Sequence, residues 1–248
     1  MNIQLITPAA PLSRAGNRAT AIRWSDFLES AGHRVKISVT YDGSHADLMI
    51  ALHAWRSADS IGSFRQKYPN NPLILALTGT DIYKFQFSHP DACYTSMDQA
   101  DRLIGLHALV KDDIPQRYAP KLRVVFQSAE AASAGAHWDD KAESKHPNHY
   151  NICLVGHLRE EKDSLRAAFA ARKLPKTSKI QIIQAGKAHN RTWQQKAEHE
   201  QRINPRYRWL GEIAQDQVKA LMATAQVMVM SSVMEGGANV ISEACMSG

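Results

Sequence analysis

The sequence predicts an α/β protein made of two doubly wound parallel-sheet domains, and three observations carry that reading. Short continuous apolar runs such as "PLILAL" and "VMVM" recur along the chain, as strands buried on both faces of a parallel sheet require. Helix-like segments separate those runs, which is the alternation of a layered α/β fold. Between residues 131 and 149 the pattern lapses into the small, polar stretch "AASAGAHWDDKAESKHPNH" before it resumes.

Each half justifies its elements in order. In the first, strands are expected at "NIQLIT", "RVKISVT", "DLMIAL", "PLILALT", "RLIGL" and "LRVVFQ", with a helix at "NRATAIRWSDFLESAG" after the first strand. In the second, the strands "NICLVG", "KIQIIQAG", "RYRWLG" and "QVMVMSS" alternate with helices around "SLRAAFAARKL", "TWQQKAEHEQRI", "QDQVKALMATA" and "ANVISEACM". The expected boundaries are an N-terminal Rossmann-like domain over residues 1–130, a linker over 131–149 and a C-terminal Rossmann-like domain over 150–248, with a cleft between the domains. Doubly wound domains usually continue with further strands after such a last helix, so the second domain is expected to be incomplete.

Composition narrows the function. At 248 residues, 44% apolar and 22% charged, the chain is an ordinary globular one, and no apolar run approaches the roughly 20 residues that span a bilayer. "MNIQLITPAA" has neither a charged n-region nor an apolar h-region, so a cytoplasmic protein without membrane insertion is expected. Cys93, Cys153 and Cys245 stand far apart, which excludes a C-x-x-C zinc or redox motif and reads as buried thiols. The net charge of +6 favours anionic ligands, but the basic residues are scattered and not interleaved with aromatics, so a nucleic-acid partner is not expected. No G-x-G-x-x-G follows the first strand, where "TPAAPLSRAGNR" stands, and this disfavours dinucleotide redox chemistry.

Ligands of such sheets bind beyond the carboxyl ends of the strands, which singles out five loops. They are "SRAGNR" (13–18), "LHAWR" (52–56), "LTGTD" (77–81), "VGHLREEKD" (155–163) and "MEGGANVISE" (234–243). In the last, Gly236 and Gly237 would let backbone approach a ligand, and Glu235 and Glu243 would accept hydrogen bonds from hydroxyls, one acid on a hexose and one on a ribose. Spacing alone fits a solvated surface turn equally well. In "VGHLREEKD", Arg159 and Lys162 follow Gly156 within a turn and would neutralise a diphosphate leaving group without a metal. His53 and His107 each end a strand, and lone histidines are more often structural than catalytic. Thr80 and Asp81 close a central strand and are better placed. The pairs "KDD" and "WDD" lack D-x-D spacing, so no metal site is expected.

The stretch from "NPRYRWLGE" to "SSVMEGGANVISEACMSG" resembles the nucleotide-binding core of GT-B retaining glycosyltransferases of family 4, with their E-x7-E signature met by Glu235 and Glu243. "VGHLREEKD" is similar to that family's glycine-arginine to lysine loop, with Lys162 as the lysine and His157 in place of the arginine, part of whose role would pass to Arg159. "TPAAPLSRAGNRATAIRW", "ADLMIALHAWRSADSI", "LALTGTDIY" and "GHLREEKD" further resemble the selenosugar synthases of selenoneine biosynthesis, over nearly the whole chain.

The resemblance implies a glycosyltransferase that moves a hexose, N-acetylglucosamine or a related sugar, from a UDP-sugar to selenophosphate. The UDP-sugar is a co-substrate and no cofactor is implied. Glu235, Lys162 and Arg159 would be catalytic, and Gly156, His157, Gly236, Gly237, Ala238, Asn239 and Glu243 would hold the donor. The acceptor's phosphate would lie at Ser13, Arg14, Gly16, Asn17 and Arg18, at the start of the first helix, and at His53, Thr78, Gly79, Thr80 and Asp81. Thr78 stands where many members have a histidine that contacts the donor sugar. Selenophosphate is already an anionic nucleophile and needs no strong general base. The alternatives are another acceptor or a protein that binds a nucleotide sugar without turning it over.

Overall fold

The structure, a computed structural model, describes residues 1–13, 15–130 and 149–247. The chain forms two compact units: Met1–Gln127 with Glu235–Asn239, and Ser128–Met234 with Val240–Gly248. The expected linker lies outside the described residues apart from His149.

In the first unit β1 (Asn2–Ile6), β2 (Arg34–Ser38), β3 (Leu48–Leu52), β4 (Leu73–Leu77), β5 (Arg102–Gly105) and β6 (Leu122–Val124) form one sheet in the order β2-β1-β3-β4-β5-β6. Every described pairing in it is parallel. The helices are α1 (Gly16–Ser30), α2 (Ala58–Lys67), α3 (Gln86–Ser88), α4 (Pro90–Gln99) and α5 (Val110–Asp113). Strand side chains alternate between faces, so each apolar run feeds two cores. Leu73, Leu75 and Leu77 join Ile6, Met49, Ile61, Phe64 and Met97 on one side, while Ala76 joins Ile3, Leu5, Ile50, Leu52 and Ala21 on the other. The chain winds out to β2 and returns to β3 on the far side of β1, which makes the carboxyl ends of β1 and β3 the switch point of this sheet.

In the second unit β7 (Tyr150–Val155), β8 (Ile180–Ala185), β9 (Tyr207–Trp209) and β10 (Val227–Met228) run parallel in the order β10-β7-β8-β9. They alternate with α6 (Arg166–Ala171), α7 (Arg191–Ile203) and α8 (Gln215–Thr224), and α9 (Asn239–Cys245) comes last. Leu154, Ile182, Leu165, Ala168 and Ala197 make one core, and Cys153, Ile183, Leu221 and Met222 the other. The switch point of this sheet falls between β7 and β10.

The α/β architecture with parallel sheets is the expected one, with two corrections of detail. "QVMVMSS" yields only a two-residue strand, in which Val227 is exposed; among the described residues it pairs with β7 alone. Of the cysteines, Cys93 and Cys153 are buried, which pushes their thiols up to about 12 and about 11, but Cys245 is exposed. Among the described residues no helix is long and apolar enough to cross a membrane, and no His/Cys/Asp/Glu group could hold a metal ion.

Candidate functional site

In the second unit the site grows from the end of β7. Gly156 has φ 153° and Gly186, at the end of β8, φ 148°; a Cβ on Gly186 would overlap the Gly156 carbonyl, so glycine lets the two turns meet backbone to backbone. The turns are stitched together by Leu158 N donating to Lys187 O at 2.9 Å and His189 N donating to Leu158 O at 3.0 Å. His157 Nδ1 accepts from the Lys187 amide at 3.2 Å, which leaves the ring proton on Nε2. Burial pushes the His157 pKa down, so the residue in the arginine's place is a neutral donor and not a cation.

Charge comes from the next turn. Arg159 is extended at φ −159° and its amide donates to the buried Ser164 hydroxyl at 3.1 Å. Its Nε is buried without a hydrogen-bond partner among the described residues, 3.9 Å from Glu161 Oε2. Glu160–Lys162 form a 3-10 turn that ends in left-handed Asp163, and the Lys162 stem passes 3.9 Å from where a Gly156 Cβ would stand. The stretch after β10 is tied to this turn: the Ser231 hydroxyl donates to Lys162 O and Asp163 O at 3.2 and 3.0 Å, and Val233 N to Glu161 O at 3.0 Å. The turn that bears Arg159 and Lys162 thus sits at the switch point, held from both sides. Ser231 carries no motif that would have marked it. A cavity of about 520 Å³ adjoins these paired turns at the start of α7, lined by Lys187, His189, Asn190, Arg191, Gln194 and Glu198.

Glu235–Asn239 group with the first unit. The glycine pair answers to protein packing there. A Cβ on Gly236 would overlap the backbone of Thr78 and Gly79, and one on Gly237 the side chain of Leu106. Asn239 does the same with its amide: Oδ1 accepts from Arg23 at 3.0 Å, and Nδ2 reaches Gly16 O and Thr20 Oγ1 at 3.4 Å. Glu235, Ala238 and Glu243 are each partly buried, Glu243 on α9 in the second unit.

The "LTGTD" turn after β4 is braced from within. Asp81 is fully buried and its carboxylate accepts from the amides of Thr78, Gly79, Ile82 and Ala54 at 2.7 to 3.2 Å. It therefore shapes the turn. Thr78 Oγ1 is buried without a partner among the described residues. His53, just past β3, is buried and lies 3.0 Å from Thr80 Oγ1 through Nε2. His107 is engaged differently: Nδ1 accepts from Leu109 N at 3.2 Å, Nε2 meets Tyr83 Oη at 2.9 Å, and that hydroxyl donates to Asp113 Oδ2 at 3.0 Å.

At the start of α1 the Ser13 hydroxyl accepts from Ala15 N at 3.1 Å, the Asn17 carbonyl accepts from Thr7 Oγ1 at 3.3 Å, and Gly16 is exposed. Arg18 Nε is buried without a partner among the described residues, and Arg14 lies outside them.

The chain has counterparts among known proteins, in a sequence family and in fold. Residues 137–248 match the family described as glycosyl transferases group 1. The whole chain superposes on Anabaena HepE in complex with UDP-glucose, with a TM-score of 0.72 and 13% identity, covering 78% of that chain. Sucrose-phosphate synthase from Thermosynechococcus elongatus matches over 98% of this chain and 78% of its own, with a TM-score of 0.71 and 17% identity. No curated protein matches the sequence. The fold is GT-B, and the group 1 match covers the part of the chain that carries Gly156, Arg159, Lys162, Glu235 and Glu243.

Proposed function

We propose that this chain is a metal-independent GT-B glycosyltransferase that moves a hexose, N-acetylglucosamine or a close relative, from a UDP-sugar to selenophosphate. The observation that carries the reading is the β7 turn, where Lys162 lies over Gly156 beside Arg159 and the Ser231 and Val233 contacts hold the turn in place. Two cations carried on this held turn neutralise the charge that develops on a departing diphosphate, and neutral His157 adds a hydrogen-bond donor. Glu235 and Glu243 accept from donor hydroxyls, and Gly236, Gly237, Ala238 and Asn239 set the turn between them. HepE, of the same fold, was solved with UDP-glucose, which supports the donor class.

In the reaction the selenium of selenophosphate bonds to the sugar C1 as the C1–O bond to UDP breaks, and UDP departs with that electron pair. Water then cleaves the Se–P bond to give phosphate and the 1-seleno-sugar. Acceptor choice rests on the resemblance to selenosugar synthases and on the positive charge that favours anions.

The test is UDP release and product mass with UDP-N-acetylglucosamine, with and without selenophosphate. Selenophosphate-dependent UDP and a seleno-hexose mass are expected, with Glu235→Ala and Lys162→Ala each lowering turnover by about 100-fold or more. UDP binding without transfer would leave the chain a nucleotide-sugar binder, and absence of UDP binding would remove the donor assignment.

A further inference from the structure

His53 holds an unusual backbone. Its φ is 80°, a left-handed conformation that a non-glycine residue adopts at a cost, yet it is fixed on both sides. Its N–H donates to Ala76 O at 2.9 Å and its carbonyl accepts from Ser57 N at 3.1 Å. Strain held in this way at a strand end has an evident result: it turns the imidazole toward Thr80.

The ring's tautomer follows from its partners. The Arg56 amide donates to Nδ1 at 3.2 Å, so Nδ1 is the acceptor and the proton sits on Nε2. Nε2–H then donates to Thr80 Oγ1 at 3.0 Å. Burial, opposed by the nearby Asp81 carboxylate, holds the imidazole below its ordinary value of 6.5 and keeps it neutral. With a lone pair of Oγ1 occupied, the Thr80 hydroxyl proton is the one left to give; the residue is partly exposed, and the hydroxyl has no second partner among the described residues.

The surroundings suit an anion. The exposed Arg56 guanidinium lies over Trp55 and Phe85 at 5.8 and 5.7 Å. Those rings stack on each other at 4.1 Å and flank the His53 ring at 6.4 and 5.5 Å. A hydroxyl donor and a guanidinium held against an aromatic wall, beyond the carboxyl ends of β3 and β4, make a subsite for a tetrahedral oxyanion. We infer that His53 is a positioning residue: it fixes the Thr80 hydroxyl as an outward donor to a phosphate oxygen of the acceptor, with Arg56 supplying the charge. The inference rests on the reading of selenophosphate as the acceptor.

Thr80→Val, Thr80→Ser and His53→Asn separate the roles. Asparagine tolerates the left-handed backbone of residue 53 but is too short to reach Thr80. With the UDP-sugar saturating, Thr80→Val and His53→Asn are expected to raise the KM for selenophosphate by about tenfold or more, with Thr80→Ser close to wild type. The rise falls on selenophosphate and not on the KM for the UDP-sugar. A second arm reads binding alone, from 31P line broadening of selenophosphate by the full chain. If the wild type transfers no sugar but broadens the signal, and Thr80→Val does not, the proposed reaction is wrong while the subsite stands. A wild-type selenophosphate KM in Thr80→Val, or equal broadening by both proteins or by neither, overturns the inference.

Discussion

Two imidazoles, His53 and His157, are kept uncharged in the fold, and in both burial is the largest cause. The sign of the consequence is fixed by linkage. Below the ordinary value of 6.5 the unfolded chain binds a proton at each site before the folded chain does, so stability is present above that pH and is lost as pH falls toward the folded values. Asp42, which the Lys36 ammonium holds below the usual carboxylate range, titrates further down and leaves this window clear. The melting temperature should fall from about pH 7.5 to about pH 5.5, and His157→Gln should flatten the slope. A flat wild-type profile would mean that the imidazoles are not held neutral. The sequence placed His53 and Thr80 together only as neighbours of strand ends. Their pairing depends on a left-handed backbone and on the Arg56 amide, neither of which leaves a mark in residue order.

At the scale of elements, α6 and α7 are joined by a charge buried on one side only. Glu200, 2% exposed, accepts from Arg172 Nε at 2.9 Å, from Arg172 Nη2, and from Asn204 Nδ2 at 2.8 Å, while the Arg172 side chain is 42% exposed. The two halves of the pair are therefore unequal. Arg172→Ala strands a buried carboxylate and should cost about 3 kcal/mol, whereas Glu200→Gln leaves a guanidinium that water can reach and should cost less. Urea unfolding followed by tryptophan fluorescence checks the order, and equal losses would show that the burial of Glu200 does not govern the pair. The same contrast governs what sequence reveals about elements. β3, β4, β7 and β8 were legible because their apolar runs face two cores at once. β10 was overestimated because among the described residues it gains hydrogen bonds from one neighbour, and a hydrophobic run cannot report how many neighbours it will have.

At the scale of the molecule, each sheet carries its own pair of cores and its own switch point, so ligands of different chemistry should act on different parts of the chain. The loops around both switch points were marked in the sequence as strand ends. The tight approach of Gly236 to Thr78 and Gly79 was not, because a glycine required by distant backbone looks the same as one required by a ligand. This organisation predicts a differential response in calorimetry. A ligand that binds only the folded form at about 100 times its Kd adds about 2.7 kcal/mol, which for a unit of this size is an upward shift on the order of 10 °C. On the proposed reading the diphosphate of UDP lies at the Gly156–Asp163 turn, so UDP should raise the transition in which the second unit unfolds. If the proposed subsite at Thr80 and Arg56 takes selenophosphate, that ligand should raise the transition of the first. Trp193 and Trp209 of the second unit, and Trp24 and Trp55 of the first, let single-tryptophan variants report which transition is which. Both ligands moving the same transition would mean that the donor and acceptor assignments do not divide as the two sheets do, and UDP moving neither would separate this GT-B fold from nucleotide-sugar chemistry.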